Sequence, residues 1–158
     1  MNKDLKLVVG ASTGGHMNEL INLLHAAGDR WPVRPVAYVT TMNIGRGALP
    51  DASLPVHVVG EADRRKPWRS LMVLGRTALV AWRLRPDVVV TTGSMPLALF
   101  AIWAKCLGAK IVWIDSVAQV GEMSLSGRLT RRFADLTLVQ WPDVAKKYSG
   151  TEYAGELF

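Results

Sequence analysis

The sequence is poor in the residues that build covalent or metal frameworks. Its 158 residues include one cysteine, Cys106, which excludes an intramolecular disulfide scaffold and a four-cysteine metal site. Three histidines, His16, His25 and His57, are scattered along the chain. That spacing argues against a His-rich zinc centre, and no metal or cofactor is expected. Acids are in the minority: 13 Asp+Glu against 19 Lys+Arg give a formal net charge of +6 and a pI near 9.8. Such a balance suits an anionic partner but does not separate nucleic acid, phospholipid and phosphorylated substrate. Long apolar runs are also missing. The longest uncharged window, Val88 to Ala104, is interrupted by Thr91-Thr92-Gly93-Ser94 and Pro96, so it reads as strand, turn and helix start and not as a membrane span. Met1-Asn2-Lys3-Asp4 runs straight into a short apolar stretch, whereas a signal peptide needs a longer apolar core and a small-residue cleavage site. A cytosolic chain is expected, soluble or peripherally attached to a membrane.

What is present is an alternation of strand and helix patterns. Apolar runs at Leu5 to Val9, Val36 to Thr40, Val56 to Val59, Asp87 to Thr91, Lys110 to Ile114, Leu136 to Val139 and Glu152 to Ala154 read as strands. Between them, helical spacing predicts helices over Met17 to Ala27, Pro67 to Leu84, Pro96 to Leu107, Leu125 to Ala134 and Pro142 to Lys147, with Thr41 to Leu54 as a surface loop. Alternation of this kind implies βαβ units, so residues 1–158 are expected to form one Rossmann-like domain with a mostly parallel sheet of about seven strands. Cys106 falls in the apolar helix beside Leu107 and is expected to be a buried structural thiol.

In an open parallel sheet, ligands bind beyond the carboxyl ends of the strands, and three loops there carry chemistry. The first, Gly10-Ala11-Ser12-Thr13-Gly14-Gly15-His16, offers backbone amides and a helix N-terminus to an anion through Ser12, Thr13, Gly14 and Gly15. His16 could act as a general base or a phosphate contact, or simply start a helix. The second loop, with Thr92, Gly93 and Ser94 before Met95-Pro96, repeats that logic, a plain N-cap being the alternative. The third, from Asp115 to Gly127, holds two acids, Asp115 and Glu122. A strand-end carboxylate can deprotonate or orient a hydroxyl, or serve as a cap or surface charge. No common nucleotide fingerprint is matched. Gly15 is followed by His16 and not by the Lys-Ser/Thr of a Walker A loop, the second strand ends in Thr40-Thr41 without an acid, and Tyr-x-x-x-Lys is missing. His25 and His57 receive no role.

The long helix carries a physical signal. Arg69, Arg76 and Arg83 recur every seven residues beside Trp68, Gly75 and Trp82, with Met72 and Leu79 on the same face; Arg64, Arg65 and Lys66 precede it and Arg85 closes it. Arginine beside tryptophan suits a lipid headgroup interface, the alternative being a core helix with a solvated basic side. Nucleic acid is not the expected partner, because a doubly wound sheet lacks a recognition module.

Taken together, Gly14-Gly15-His16, the run Pro86-Asp87-Val88-Val89-Val90 into Thr92-Gly93-Ser94, and Ser124-Leu125-Ser126-Gly127 with Asp135 and Val139-Gln140-Trp141-Pro142 resemble the Alg14 family, which includes bacterial exopolysaccharide glycosyltransferase subunits. The layout is similar, more distantly, to the N-terminal lobe of MurG. The resemblance implies one acceptor-binding lobe of an inverting GT-B glycosyltransferase. It implies a polyprenyl-diphosphate-linked sugar as acceptor, bound at the membrane, and a separate Alg13-like subunit that binds the UDP-sugar, with the active site in the cleft between the two chains. His16 and Gly14-Gly15 match the acceptor-side loop and Gly93-Ser94 the second glycine loop; Asp115 stands where relatives often carry glutamate. The chain lacks the N-terminal membrane helix of eukaryotic members, which puts the weight of attachment, to the inner face of the cytoplasmic membrane, on the Trp68–Arg85 stripe. Its length is that of a single lobe, ending at Phe158 where a connection to a second would begin. A non-catalytic scaffold that docks on the membrane and only recruits the donor-binding subunit is the alternative.

Overall fold

A computed structural model describes residues 5–44, 46–62, 65 and 67–157. Arg64 and Lys66, which the sequence places in the basic run ahead of the long helix, lie outside the described residues, as do Met1–Asp4 and Phe158.

Seven strands form one sheet: β1 (Leu7–Ala11), β2 (Pro35–Thr40), β3 (Val56–Val58), β4 (Val88–Thr91), β5 (Lys110–Ile114), β6 (Leu136–Val139) and β7 (Glu152–Tyr153). The order is β3-β2-β1-β4-β5-β6-β7, and every pairing is parallel. The helices that connect them are α1 (Gly15–Ala27), α2 (Pro67–Leu84), α3 (Met95–Cys106), α4 (Leu125–Thr130) and α5 (Pro142–Lys147). Alternation along the strands divides the core in two. Val8, Val39, Val89 and Ile111 face Ala81 of α2 and Phe100 and Ala101 of α3. Leu7, Val9, Tyr38 and Val90 face Met17, Leu20 and Leu24 of α1. Both sheet faces are therefore apolar, which is why the strands read as continuous Val/Ile runs without polar alternation.

Several boundaries and burials differ from the sequence expectation. The first strand is displaced two residues, because Leu5 is half exposed while pairing with β2 runs on to Ala11 against Thr40. Gly10 thus lies inside β1. A Cβ there would stand 2.7 Å from Leu97 Cδ1 and 3.0 Å from the Val39 carbonyl oxygen, so this glycine serves close helix–sheet packing. The helix expected to reach Ala134 ends at Thr130 and continues as a turn. The expectation that Cys106 is buried is corrected. It is the last residue of α3 and is exposed, because Ala101 and Ala104 occupy the face turned to the sheet. Within the loop after β2, Thr41 and Leu49 are buried. Among the described residues, no helix is long and apolar enough to cross a membrane.

Candidate functional site

Because all seven strands are parallel, their carboxyl ends share one edge. The chain order reverses between β1 and β4, and the loops that leave these two strands open a crevice at that switch point. The two loops are tied to each other reciprocally. His16 Nδ1 lies 2.8 Å from the Thr92 carbonyl oxygen, and Thr92 Oγ1 donates to the His16 carbonyl oxygen at 2.6 Å. A carbonyl can only accept, so Nδ1 carries a proton, and in the neutral ring Nε2 keeps its lone pair for another group. Gly93 makes this placement possible. With φ +122° it adopts a conformation that disfavours a side chain, and a Cβ there would lie 3.1 Å from His16 Cε1 and 3.2 Å from Nδ1.

Neither helix that starts at the switch point has a side-chain N-cap. Gly14 (φ +88°) leads into α1 and Ser94 (φ +94°), a non-glycine in the left-handed region, leads into α3. Ser94 Oγ is shielded from solvent and has no hydrogen-bond partner among the described residues. Ser12 and Thr13 are half buried and Gly14 and Gly15 exposed; the Thr13 N–H donates to Thr41 Oγ1 at 3.4 Å. Two helix N-termini whose first amides no side chain caps present partial positive charge to the same crevice. Away from it, α4 has an ordinary cap in which Ser124 Oγ accepts from the Gly127 N–H at 2.8 Å.

The third loop is built differently. Asp115 is 2% exposed. Its Oδ2 accepts from the Ser124 N–H at 2.8 Å and its Oδ1 from Ser124 Oγ at 2.6 Å and Trp113 Nε1 at 3.3 Å. The carboxylate faces inward and is fully engaged, an arrangement suited to holding the loop. Ser124-Leu125-Ser126-Gly127 is the receptacle for this group, Gly127 leaving room where a Cβ would lie 2.5 Å from Asp115 Oδ1. Glu122 is exposed and paired with Lys147 at 2.7 Å. That hydrogen bond and charge hold its carboxyl below the usual range and raise the lysine. Asp135 accepts from Lys105 Nζ, Lys110 Nζ and the Ile111 N–H. Burial pushes its carboxyl up, but these three donors outweigh that and hold it far below the usual range.

The sequence pattern hides one buried acid, Glu19. It is 5% exposed on α1, one helical turn beyond His16, and accepts from Ser116 Oγ at 2.7 Å, the Val117 N–H at 3.3 Å and Gln140 Nε2 at 3.2 Å. Gln140 also donates to the Asp115 carbonyl oxygen and accepts from the Leu157 N–H, and Trp141 Nε1 donates to the Val117 carbonyl oxygen at 2.6 Å. The Gln140-Trp141 pair thus fastens the start of the third loop to α1. Its place in a distinctive motif is the signal that could have pointed to such a partner.

Helix α2 buries Val73, Thr77 and Ala81 and turns a second apolar face outward. Trp68, Leu71, Met72, Leu79 and Trp82 are 43–69% exposed, flanked by exposed Arg69, Arg76 and Arg83. Arg69 stacks over Trp68 at 5.4 Å and Arg85 over Trp82 at 6.0 Å. Five large apolar side chains gathered on one exposed face are the kind of feature that marks a contact surface. Leu71 belongs to this face although the heptad reading omits it.

The doubly wound sheet with paired glycine loops at its switch point defines one α/β lobe of the GT-B type. The lobe superposes on Acinetobacter baumannii MurG with a TM-score of 0.72 at 15% identity, over 96% of this chain and 45% of that one. It superposes on Rickettsia bellii UDP-N-acetylglucosamine 2-epimerase with a TM-score of 0.67 at 16% identity, over 98% and 45%. The chain therefore spans less than half the length of either. The family model "Oligosaccharide biosynthesis protein Alg14 like" matches residues 57–157, and the chain belongs to the Alg14 family. It is 34% identical over 173 residues to the Schizosaccharomyces pombe protein named UDP-N-acetylglucosamine transferase subunit alg14, covering 94% of this chain and 81% of that one. It is 26% identical over 186 residues to the mouse protein of the same name, covering 98% and 84%.

Proposed function

We propose that this chain is the acceptor-binding, membrane-associating subunit of a two-chain, inverting, UDP-sugar-dependent glycosyltransferase acting on a polyprenyl-diphosphate-linked sugar. Its relatives are named as transferase subunits for UDP-N-acetylglucosamine, which makes that nucleotide sugar the first donor to test. The observation that carries the reading is His16, pinned through Nδ1 between two N-termini without side-chain caps, at the edge where the sheet changes direction. The acceptor diphosphate and sugar lie against Ser12–Gly15 and Thr92–Ser94, with Ser94 Oγ as an unspent donor. His16 Nε2 takes the proton of the attacking hydroxyl as its oxygen bonds to the sugar anomeric carbon. The bond from that carbon to UDP breaks on the opposite face, so configuration inverts. Helix N-termini stabilise diphosphate charge in this scheme, and no step needs a metal. The UDP-sugar belongs to an Alg13-like partner subunit. Asp115 acts as a positioning residue and Glu122 as a surface tie to α5. The exposed face of α2 attaches the chain peripherally to the cytoplasmic face of an anionic membrane.

The test is turnover of the chain reconstituted with its donor-binding partner. His16→Ala is expected to lower the rate by about a hundredfold to ten-thousandfold while the melting temperature falls by only about 3 °C, the loss of its one hydrogen bond to the Thr92 carbonyl. Asp115→Asn is expected to lower the melting temperature. A near-wild-type rate for His16→Ala overturns the base assignment, and full rate in both variants makes the chain a docking scaffold.

A further inference from the structure

We propose that the cleft between α2 and the carboxyl ends of β2 and β3 binds the junction of phosphate and hydrocarbon in an isoprenyl phosphate. This rests on the acceptor-binding reading and adds a site to it, because the glycine loops account for the sugar end of such a lipid but not for its tail. The cleft measures about 330 Å³. Its cationic wall is Arg69 and Arg76, its apolar wall Trp68, Met72 and Met42, and Glu61 stands at the rim. Among the described residues, two guanidiniums against one carboxylate leave a net positive lining for an anion whose other end is hydrocarbon.

Two observations separate this cleft from a flat membrane contact. Arg76 does not reach away from the fold. Its Nη1 lies 3.6 Å from where a Cβ of Gly60 would be, so the side chain folds back over the end of β3, where a headgroup-seeking arginine would extend. The cleft is also continuous with the first glycine loop. Its buried wall residue Thr41 accepts from the Thr13 N–H, and Met42 lines both this cleft and the depression formed by Thr13 and Gly14. A chain entering from the exposed face of α2 meets Trp68 and Met72, then the guanidiniums, then the loop that carries His16. The tail-side phosphate at Arg69 and Arg76, the rest of the diphosphate at the glycine loops and the sugar near His16 are then successive parts of one molecule.

The isolated chain can be titrated with farnesyl diphosphate, a soluble isoprenyl probe, alongside inorganic diphosphate and farnesol. Farnesyl diphosphate is expected to bind at least about tenfold tighter than either fragment, and Arg76→Gln to weaken it about tenfold, the loss of one charge-assisted contact. Arg83→Gln, on the same stripe but outside the cleft, is expected to leave that affinity unchanged. Met42→Glu, at an exposed position, should weaken it independently of Arg76. Equal effects of Arg76→Gln and Arg83→Gln, or inorganic diphosphate binding as tightly as farnesyl diphosphate, overturn the proposal. A second arm compares phosphatidylcholine vesicles doped with undecaprenyl phosphate or with phosphatidylglycerol at equal charge. A preference for undecaprenyl phosphate that Arg76→Gln abolishes supports a carrier lipid. Equal binding overturns it in favour of an ordinary phospholipid headgroup. Failure here leaves the His16 turnover test untouched, so the cleft and the acceptor-binding reading fail separately.

Discussion

Gly127→Ala tests whether Asp115 is a structural anchor. A Cβ at Gly127 would stand 2.5 Å from Asp115 Oδ1, 2.9 Å from its Cγ and 3.0 Å from Ser124 Oγ, where ordinary contact begins at 3.4 Å. The carboxylate would have to withdraw by close to an ångström. It is held on both oxygens, by the Ser124 N–H at 2.8 Å, Ser124 Oγ at 2.6 Å and Trp113 Nε1 at 3.3 Å, so withdrawal stretches all three bonds. The same methyl presses on the hydroxyl that caps α4. Overpacking, a weakened cap and strained hydrogen bonds to a charged group together come to about 3 kcal/mol. For a domain of this size that is a fall in melting temperature of about 10 °C. Thermal unfolding followed by circular dichroism measures it. In an Asp115→Ala background the added methyl meets no carboxylate, so the double-mutant cycle is expected to be strongly non-additive. A fall of less than about 2 °C in the wild-type background, or strict additivity, would refute the claim that Asp115 is wedged against Gly127.

Two further outcomes follow from charges. Asp135 is held far below its ordinary value of 3.8, so its contribution to stability is present above that value and is lost as pH falls below it toward the native value. The melting-temperature gap between wild type and Asp135→Asn, measured against pH, should therefore be widest near neutrality and close in strong acid; a gap independent of pH would contradict the assignment. Reversing Arg69, Arg76 and Arg83 to glutamate should release the chain from anionic vesicles. At about 1 kcal/mol per basic residue, losing the attractions of Arg69 and Arg83 alone, Arg76 being folded back over the end of β3, lowers partitioning about thirtyfold. Unchanged sedimentation with vesicles would favour a solvated basic helix.

The β-branched runs and the glycines and prolines between them made the sheet legible, because a strand buried on both faces needs no information from elsewhere in the chain. The glycine loops were legible for the same reason: their role follows from lying between a strand and a helix. Glu19 was not legible. Its partners Ser116 and Gln140 are 97 and 121 residues away, and along α1 it looks like a polar residue beside Leu20. Asp115 was found as a strand-end acid, but the direction its carboxylate faces depends on Ser124 and Gly127, which come together with it only when α4 folds back on β5. Cys106 looked buried because its neighbours are apolar, and one position of helix rotation exposes it.

The outward face of α2 also fixes how the molecule would lie. An 18-residue helix is a rod of roughly 27 Å. As the crossover between β3 and β4 it runs back along the parallel strands. A chain resting on a membrane through that rod has its strands lying level with the bilayer, so the loop edge opens sideways, at headgroup height, and points neither into the lipid nor toward bulk water. A second lobe that faces those loops would then sit beside this one on the same surface. If the chain attaches and pairs as proposed, encounter with its partner would be a search in two dimensions, and a lipid acceptor would reach the crevice by lateral diffusion without leaving the bilayer.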